Sequence, residues 1–324
     1  MATVNQSNVL HAITANVIEG AAKTSDFTGL RVAPGVPQQS LTANWPVIRL
    51  AEGEMLRDNL ERREPGSTFK QIEATIGLDT STVEGDGCEI PIDRSIAEDA
   101  ENSGLELLSV YGLELFKNAL RMHERRVAAI AQGADFDSVN SLTAYTTANI
   151  DNDTVDVPQD IQGAIERVAG RGENVNTITI PVEVWNRIRF SGRLRAFIAG
   201  SVNPGALVTP TNIARAFADE GIERVIIGRA RVNVGAKKKV DIETIWNNSH
   251  IWVGAAEGAT AETGSANSLG NAISTFYSGQ QVAPFQIEQY YSDERRSHVL
   301  RVFGETNVKV LNARAGTRIA TQYA

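Results

Sequence analysis

The run from Asp99 to Gln132 restricts what this chain can fold into more than any other stretch. Leu105, Leu108, Leu115, Ala119, Met122, Val127 and Ile130 recur along it at helical spacing, with Leu107, Tyr111, Phe116 and Leu120 beside them. Only Gly112 interrupts the pattern, and a lone glycine is a breaker of ~1 kcal/mol against alanine. The spacing predicts a polar lead-in and then one continuous helix from Leu105 to Gln132, roughly 42 Å long at ~1.5 Å per residue. Ordinary globular helices average about 11–12 residues. A helix this long is a girder, and the segments on either side of it decide its use.

Before the girder, residues Met1 to Asn44 are polar and mixed, with Pro34 and Pro37 near the end. Val9, Ile13, Val17 and Ile18 fit one short amphipathic helix. The segment reads either as an arm ordered by a partner surface or as a disordered tail. From Trp45 to Ile90 the pattern changes. Pro46–Leu50 and Phe69–Leu78 read as strands, Thr80–Val83 extends the second, and Pro65-Gly66 supplies a turn in the charged stretch between them. A long charged hairpin is the simplest account. From Val47 to Ile90 it carries five basic residues (Arg49, Arg57, Arg62, Arg63 and Lys70) against ten acidic ones, a net −5. A two-stranded hairpin is marginal by itself, so this one either moves in solvent or lies on another molecule.

After the girder, Gly133 is a stop signal and Asp135–Asp156 reads as polar loop. An α/β block follows, about Val157 to Ala256. Asp156 and Pro158 start a helix to Ala169, Asn176–Ile180 is a short buried strand, and Pro181 opens a helix through Phe190. Thr209-Pro210 caps a third helix that ends at Gly221. Arg224–Ile227 and Ile251–Ala255 are strands, and Val232–Val234 and Val240–Ile245 form a hairpin across GAKKK. Glu257 to Gly279 is small and polar and reads as surface loop. Strands return at Phe285–Tyr291, His298–Phe303 and Val308–Leu311. Their natural partner is whatever precedes the α/β block, with the girder packed across the resulting sheet. The fold class is α+β.

Composition removes several function classes. The 324 residues carry a net charge of −8, which disfavours a generalised basic surface for nucleic acid. One cysteine, Cys88, forbids an intrachain disulfide. No apolar run reaches the ~18 residues of a membrane helix, and the N-terminal residues lack the pattern of a secretory signal. His11, His123, His250 and His298 form no metal-binding spacing, and no phosphate-cradling or nucleophile-elbow motif is present. Neither a catalytic residue, a cofactor site nor a metal site is assigned. Cys88 lacks an identifiable histidine partner and reads as an ordinary thiol. His123, beside Arg121, Glu124, Arg125 and Arg126, reads as part of a solvated or interface-facing surface. Lys237, Lys238 and Lys239 read as a solvated hairpin tip, with a phosphate contact as the alternative. Asp151, Asp153 and Asp156 share a loop without the glycine and terminal glutamate of an EF-hand, so a loose Ca²⁺ site is the weaker reading.

Three runs resemble one family. DAENSGLELLSVYGLELFKNALRMHERRVAAIAQ, with its ending Glu124-Arg125-Arg126-Val127-Ala128, resembles the spine-helix region of tailed-bacteriophage major capsid proteins of the Hong Kong 97 type. DVPQDIQGAIERVAGRGENVNTITIPVEVWNRI, Asp156 to Ile188, is similar to the family's apical domain. So is Val208 to Phe217, followed by Glu223–Gly228 and Ile245-Trp246. The similarity covers roughly Trp45 to the C-terminus.

The resemblance implies an N-arm at residues 1–44 and an extended E-loop hairpin at 45–90. It implies a P-domain whose first part, 91–156, carries the spine helix, an A-domain at 157–284, and P-domain return strands at 285–324. The implied function is that of a structural capsid subunit, not an enzyme. Its partners would be other copies of itself in pentamers and hexamers, portal, scaffold and decoration proteins, and packaged double-stranded DNA held without sequence specificity. No membrane and no cofactor would be involved. Localisation would be the virion capsid, assembled in the host bacterial cytoplasm. Some members cross-link an E-loop lysine to a neighbour's asparagine; Lys70 is the hairpin's one lysine and no partner asparagine is identifiable. Expected inter-subunit contacts are Arg57, Glu61, Arg62, Arg63, Lys70, Arg121, Arg125, Arg126, Arg295 and Arg296. From Asp293 to Ala324 six basic residues face three acidic ones, so the acidic hairpin is expected to approach this basic segment of a neighbour. The alternatives are an encapsulin-like nanocompartment shell packaging cargo proteins, a hydrolase on the α/β block, and a tail or sheath protein.

Overall fold

The computed structural model describes residues 26–49, 62, 75–102, 107–140, 144–199, 208–236, 239–257, 270–281 and 283–322. The chain starts with a one-turn helix α1 (Gly29–Val32) and strand β1 (Gly35–Gln38). Strands β2 (Thr42–Arg49), β3 (Thr75–Thr82) and β4 (Glu84–Asp93) follow. Helices α2 (Arg94–Asn102) and α3 (Leu107–Ala131) come next, then strand β5 (Ser138–Asn140) and helix α4 (Thr147–Asp151). The α/β block contributes α5 (Val157–Ala169), β6 (Thr177–Pro181), α6 (Val182–Ile188), α7 (Gly192–Ala199) and α8 (Pro210–Ala216). Strands β7 (Arg224–Gly228), β8 (Arg231–Asn233), β9 (Ile242–Thr244) and β10 (His250–Gly254) complete it. The last strands are β11 (Ile273–Ser278), β12 (Gln286–Ser292), β13 (Ser297–Val310) and β14 (Gly316–Ala320).

Two five-stranded sheets organise these elements. In the first, β13 is the axis. Its residues 297–303 pair with β12 on one side and β4 on the other, and its residues 306–310 pair with β11. Strand β1 adds to β11 in parallel, Gly35 opposite Thr275. The 14 residues of β13 alternate in burial along most of their length, as a strand with one covered face must. The second sheet runs β5-β14-β10-β6-β7. Strands β6 and β10 are covered on both faces, so that even the β6 threonines Thr177 and Thr179 are buried beside Ile178 and Ile180. Ile251 and Val253 point into a core under α5–α8, whereas Trp252 points to the opposite side.

The girder joins the sheets. Leu115, Ala119 and Leu120 of α3 pack on Leu300 and Val302 of the first sheet. Val127, Ala128 and Ala131, further along, enter a second core with Phe136, Trp246, Trp252 and Ala315. At ~1.5 Å per residue its 25 residues span roughly 37 Å. The caps follow the sequence reading. Asp156 accepts from Gln159 N–H at the start of α5, Thr209 accepts from Asn212 N–H at the start of α8, and both helices carry proline in the first turn.

Several expected boundaries shift. The polar lead-in to the girder is itself helical, because α2 begins where Asp93 accepts from Ser95 N–H and Ser95 Oγ. Residues 103–106 between the two helices lie outside the described residues. The reading of 1–44 as arm or tail stops short of residue 29: Val32 and Ala33 are buried in a core, Gly35–Gln38 pair in the first sheet and Thr42 opens β2; residues 1–25 are outside the described part. The charged hairpin ends before residue 90, and its residues 50–61 and 63–74, which include much of the expected strand Phe69–Leu78, lie outside the described residues. Its strands are β2 and β3, with Trp45 opposite Asp79, while β4 belongs to the first sheet. Polar loop 135–156 holds β5 and α4, and surface loop 257–279 holds β11. The two expected strands 298–303 and 308–311 are one, and β14 leaves them for the second sheet.

Candidate functional site

Two residues in the charged end of α3 turn inward. His123 and Glu124 are each 1% exposed, which corrects the reading of His123 as solvated or interface-facing. The reason lies in helical phase. Glu124 falls on the stripe of Leu120, Val127 and Ala131, and His123 on that of Ala119 and Val127, all of them buried.

Glu124 gathers four donors. Its Oε2 accepts the Thr28 N–H at 2.8 Å and the Gly29 N–H. Its Oε1 accepts the Thr28 hydroxyl at 2.5 Å and the Trp246 indole N–H at 2.5 Å. The start of α1 has no side-chain cap of its own, so the girder supplies one across 96 residues of sequence. Burial raises the Glu124 carboxyl above its ordinary pKa, and the hydrogen bonds from Thr28, Trp246 and Gly29 oppose that rise. One carboxylate thus ties the N-terminal segment, the girder and the α/β block together.

His123 makes the companion contact. Its Nε2 lies 2.8 Å from Thr275 Oγ1, whose hydroxyl donates to Ala33 O at 2.9 Å. That order places the imidazole proton on Nε2. The ring meets Phe285 edge-on at 5.9 Å. Burial, aided by the charge of Arg126, lowers its pKa to about 4, so the ring is neutral in the fold. Gly29 completes the arrangement, because a Cβ there would stand 2.8 Å from His123 Nδ1 and 2.9 Å from Glu124 Oε2.

The expected contact arginines divide. Arg126 bonds Asp86 of β4 at 2.6 Å, and Arg295 reaches Glu89 of β4 at 3.3 Å. Arg301 also meets Glu89, at 3.2 Å, and with Tyr290 holds that carboxyl below its ordinary pKa. Asp86 and Glu89 were counted in the acidic hairpin and expected to approach a neighbour; their pairs lie within one chain. Arg121 bonds Asn118 at 2.6 Å and sits over the Phe27 ring at 6.0 Å. Arg125 is exposed and lines a shallow polar groove with Ala129, Gln132, Val234 and Asn247. Arg296 is exposed, with φ of 48°, and its carbonyl accepts from Arg94 N–H. Arg62 is exposed; Arg57, Glu61, Arg63 and Lys70 lie outside the described residues.

Other singled-out residues have structural partners. Asp153 accepts the Gly192 N–H at 2.7 Å, and Asp156, the cap of α5, pairs with Arg193 at 2.9 Å. Among the described residues no group of three or more His, Cys, Asp or Glu is arranged to hold a metal ion, and no helix is long and apolar enough to cross a membrane. Cys88 is exposed on β4. Lys239 is exposed at the β8–β9 hairpin, while Lys237 and Lys238 lie outside the described residues.

No protein-family model and no curated protein sequence matches the chain. Solved structures match its fold. A phage-related protein from Bordetella bronchiseptica superposes with a TM-score of 0.68 at 16% identity, over 96% of each chain. The capsid structure of cyanophage P-SCSP1u gives 0.56 at 11% identity, over 90% of this chain and 87% of that one. A virus-like particle from Pyrococcus furiosus gives 0.53 at 9% identity, over 96% of this chain and 99% of that one. The likeness spans nearly the whole chain, and the fold is that of tailed-phage major capsid proteins.

Proposed function

We propose that the chain is the structural subunit of an icosahedral viral capsid, assembling through pentamers and hexamers into a shell around double-stranded DNA. The observation that carries this reading is the whole-chain likeness to a phage capsid, 90% of one chain against 87% of the other. In this reading α3 is the spine helix, the first sheet is the P-domain and the α/β block is the A-domain. The β2–β3 ribbon is the base of the E-loop. The ribbon pairs with neither large sheet as a strand, which suits a part whose partner surface is another copy. The role is structural rather than enzymatic, in the virion, after assembly in the bacterial cytoplasm. Portal, scaffold and decoration proteins would complete the particle. A subunit of net charge −8 holds DNA by confinement rather than by a binding site.

The test is electron microscopy of the purified protein. Closed icosahedral particles are expected; only tubes, stacked discs or monomers at high protein concentration would overturn the reading. An encapsulin-like shell is the second reading, favoured by the likeness to the Pyrococcus furiosus virus-like particle. Particle contents separate the two: DNA for the capsid, protein cargo for the compartment.

A further inference from the structure

The helical layer of the α/β block carries two unlike patches. At the N-terminal end of α5 and α7, the Phe190 ring is 56% exposed. The Arg189 guanidinium lies 4.6 Å from its centroid and that of Arg195 5.7 Å. Among the described residues neither arginine has a carboxylate partner within salt-bridge distance. Nearby, Arg193 is committed to Asp156. Phe197, one turn further along α7, is 44% exposed. Large exposed aromatics framed by arginines are the composition of interface centres.

At the other end of α5, Glu166, Asp219 and Glu220 crowd together. Burial, then the charges of Glu166 and Asp219, raise the Glu220 carboxyl above its ordinary pKa. None of the three has a salt bridge among the described residues. Arg167 and Arg171, the cations beside them in sequence, are both held by Asp137. Ten residues of helix separate Asp156 from Glu166, about 15 Å of rise. The subunit thus shows an arginine–aromatic patch at one end of a helix and unneutralised carboxylates at the other.

We propose that the Arg189–Phe190–Arg195 patch of one copy docks on the Glu166–Asp219–Glu220 cluster of the next, head to tail, around a closed ring. The proposal rests on the shell reading and names the surfaces within it. A two-fold contact would set Arg189 and Arg195 against themselves. A head-to-tail contact sets opposite charges together and closes into a ring when the rotation allows. The occupant is therefore a second copy in cyclic arrangement.

Three variants test it. The first is the double reversal Arg189→Glu/Arg195→Glu. The second is the triple reversal Glu166→Lys/Asp219→Lys/Glu220→Lys. The third carries all five changes in one chain. Each one-sided variant meets like charge at every contact, so particle yield should fall at least ~10-fold while the subunit keeps its circular dichroism and melting temperature. The five-fold variant should recover assembly. An equimolar mixture of the two one-sided variants should form rings with even numbers of subunits and no five-membered ones, because the two kinds must alternate. Wild-type yields from both one-sided variants would overturn the proposal and leave the shell reading standing. So would failure of the five-fold variant to recover. Arginines around an exposed ring also suit a nucleic-acid base; unchanged assembly with lost single-stranded DNA binding in the first variant would overturn the docking assignment. Absence of particles from the wild-type chain would instead remove the shell reading itself.

Discussion

Glu124→Gln is the most discriminating single change in this molecule, because it keeps the shape and removes one acceptor. The carboxylate receives two backbone N–H groups on Oε2 and a hydroxyl and an indole N–H on Oε1. An amide has one oxygen to offer and brings two donors of its own. If the amide oxygen keeps Thr28 N–H and Gly29 N–H, its NH₂ faces Thr28 and Trp246. The Thr28 hydroxyl can rotate and accept; the Trp246 indole cannot. One buried donor is then orphaned, at ~1–3 kcal/mol, and the two bonds left on the amide oxygen lose their charge assistance. Removing a buried carboxylate from a site that raises its pKa returns part of this. The balance is a destabilisation of about 2 kcal/mol. It falls on the docking of residues 28–33 against the girder, so native-state hydrogen exchange at those amides should quicken ~30-fold, at about 1.4 kcal/mol per factor of ten. Trp246 fluorescence should report the same opening. Unchanged exchange at 28–33 together with an unchanged denaturation midpoint would refute the clasp.

The same junction yields two further expectations, and the hairpin a third. Gly29→Ala places a methyl 2.8 Å from His123 Nδ1 and 2.9 Å from Glu124 Oε2, and overpacking of this kind costs ~1–3 kcal/mol; a melting temperature equal to wild type would contradict the contact. His123 has a folded pKa of about 4 against 6.5 unperturbed, so the unfolded chain binds the proton first as pH falls. Its stabilising share is complete above pH 6.5 and shrinks to pH 4, a loss of ~3 kcal/mol. Glu124 shifts in the opposite direction and offsets part of that loss, so the slope is best read by chemical denaturation between pH 4 and 7 in Glu124→Gln. His123→Gln should flatten it there, and an undiminished slope would reject the assignment. Arg62→Glu/Arg63→Glu should block particle formation on light scattering without moving the unfolding midpoint of the subunit; normal particles would count against a hairpin contact.

The girder and the caps were legible because they follow local rules. Period-3.6 apolar spacing announced α3, and Asp156 and Thr209 with their prolines announced α5 and α8. Pairings across long sequence distance were not. Nothing local says that Gly35 lies beside Thr275, or that β14 leaves its neighbour β13 for the second sheet. The charged end of the girder misled for a different reason. His-Glu-Arg-Arg looks solvated by composition, yet two of its four members occupy inward positions of the stripe set by Leu120 and Val127. Helical phase held that information and composition hid it. Likewise the net charge of the hairpin could not show that Asp86 and Glu89 are paired at home.

In the proposed shell role the subunit would pass force between contacts at its two ends, and a girder serves that purpose only if its attachments do not slip. Apolar packing alone is poorly suited to fixing register, because methyl and methylene surfaces slide at little penalty compared with a broken buried hydrogen bond. Glu124 stands where the first-sheet core gives way to the junction core, between Leu120 and Val127. Its four donors come from two other parts of the chain, so a shift of either by one residue would leave buried N–H groups unpaired. The clasp therefore acts chiefly on geometry: it sets the position of the N-terminal segment and of the α/β block on one helix. On this argument the loss in Glu124→Gln should appear in assembly as well as in stability. Particles from that variant should be fewer and more varied in diameter even where the subunit remains folded, and uniform wild-type particles would show that the apolar cores fix the geometry alone.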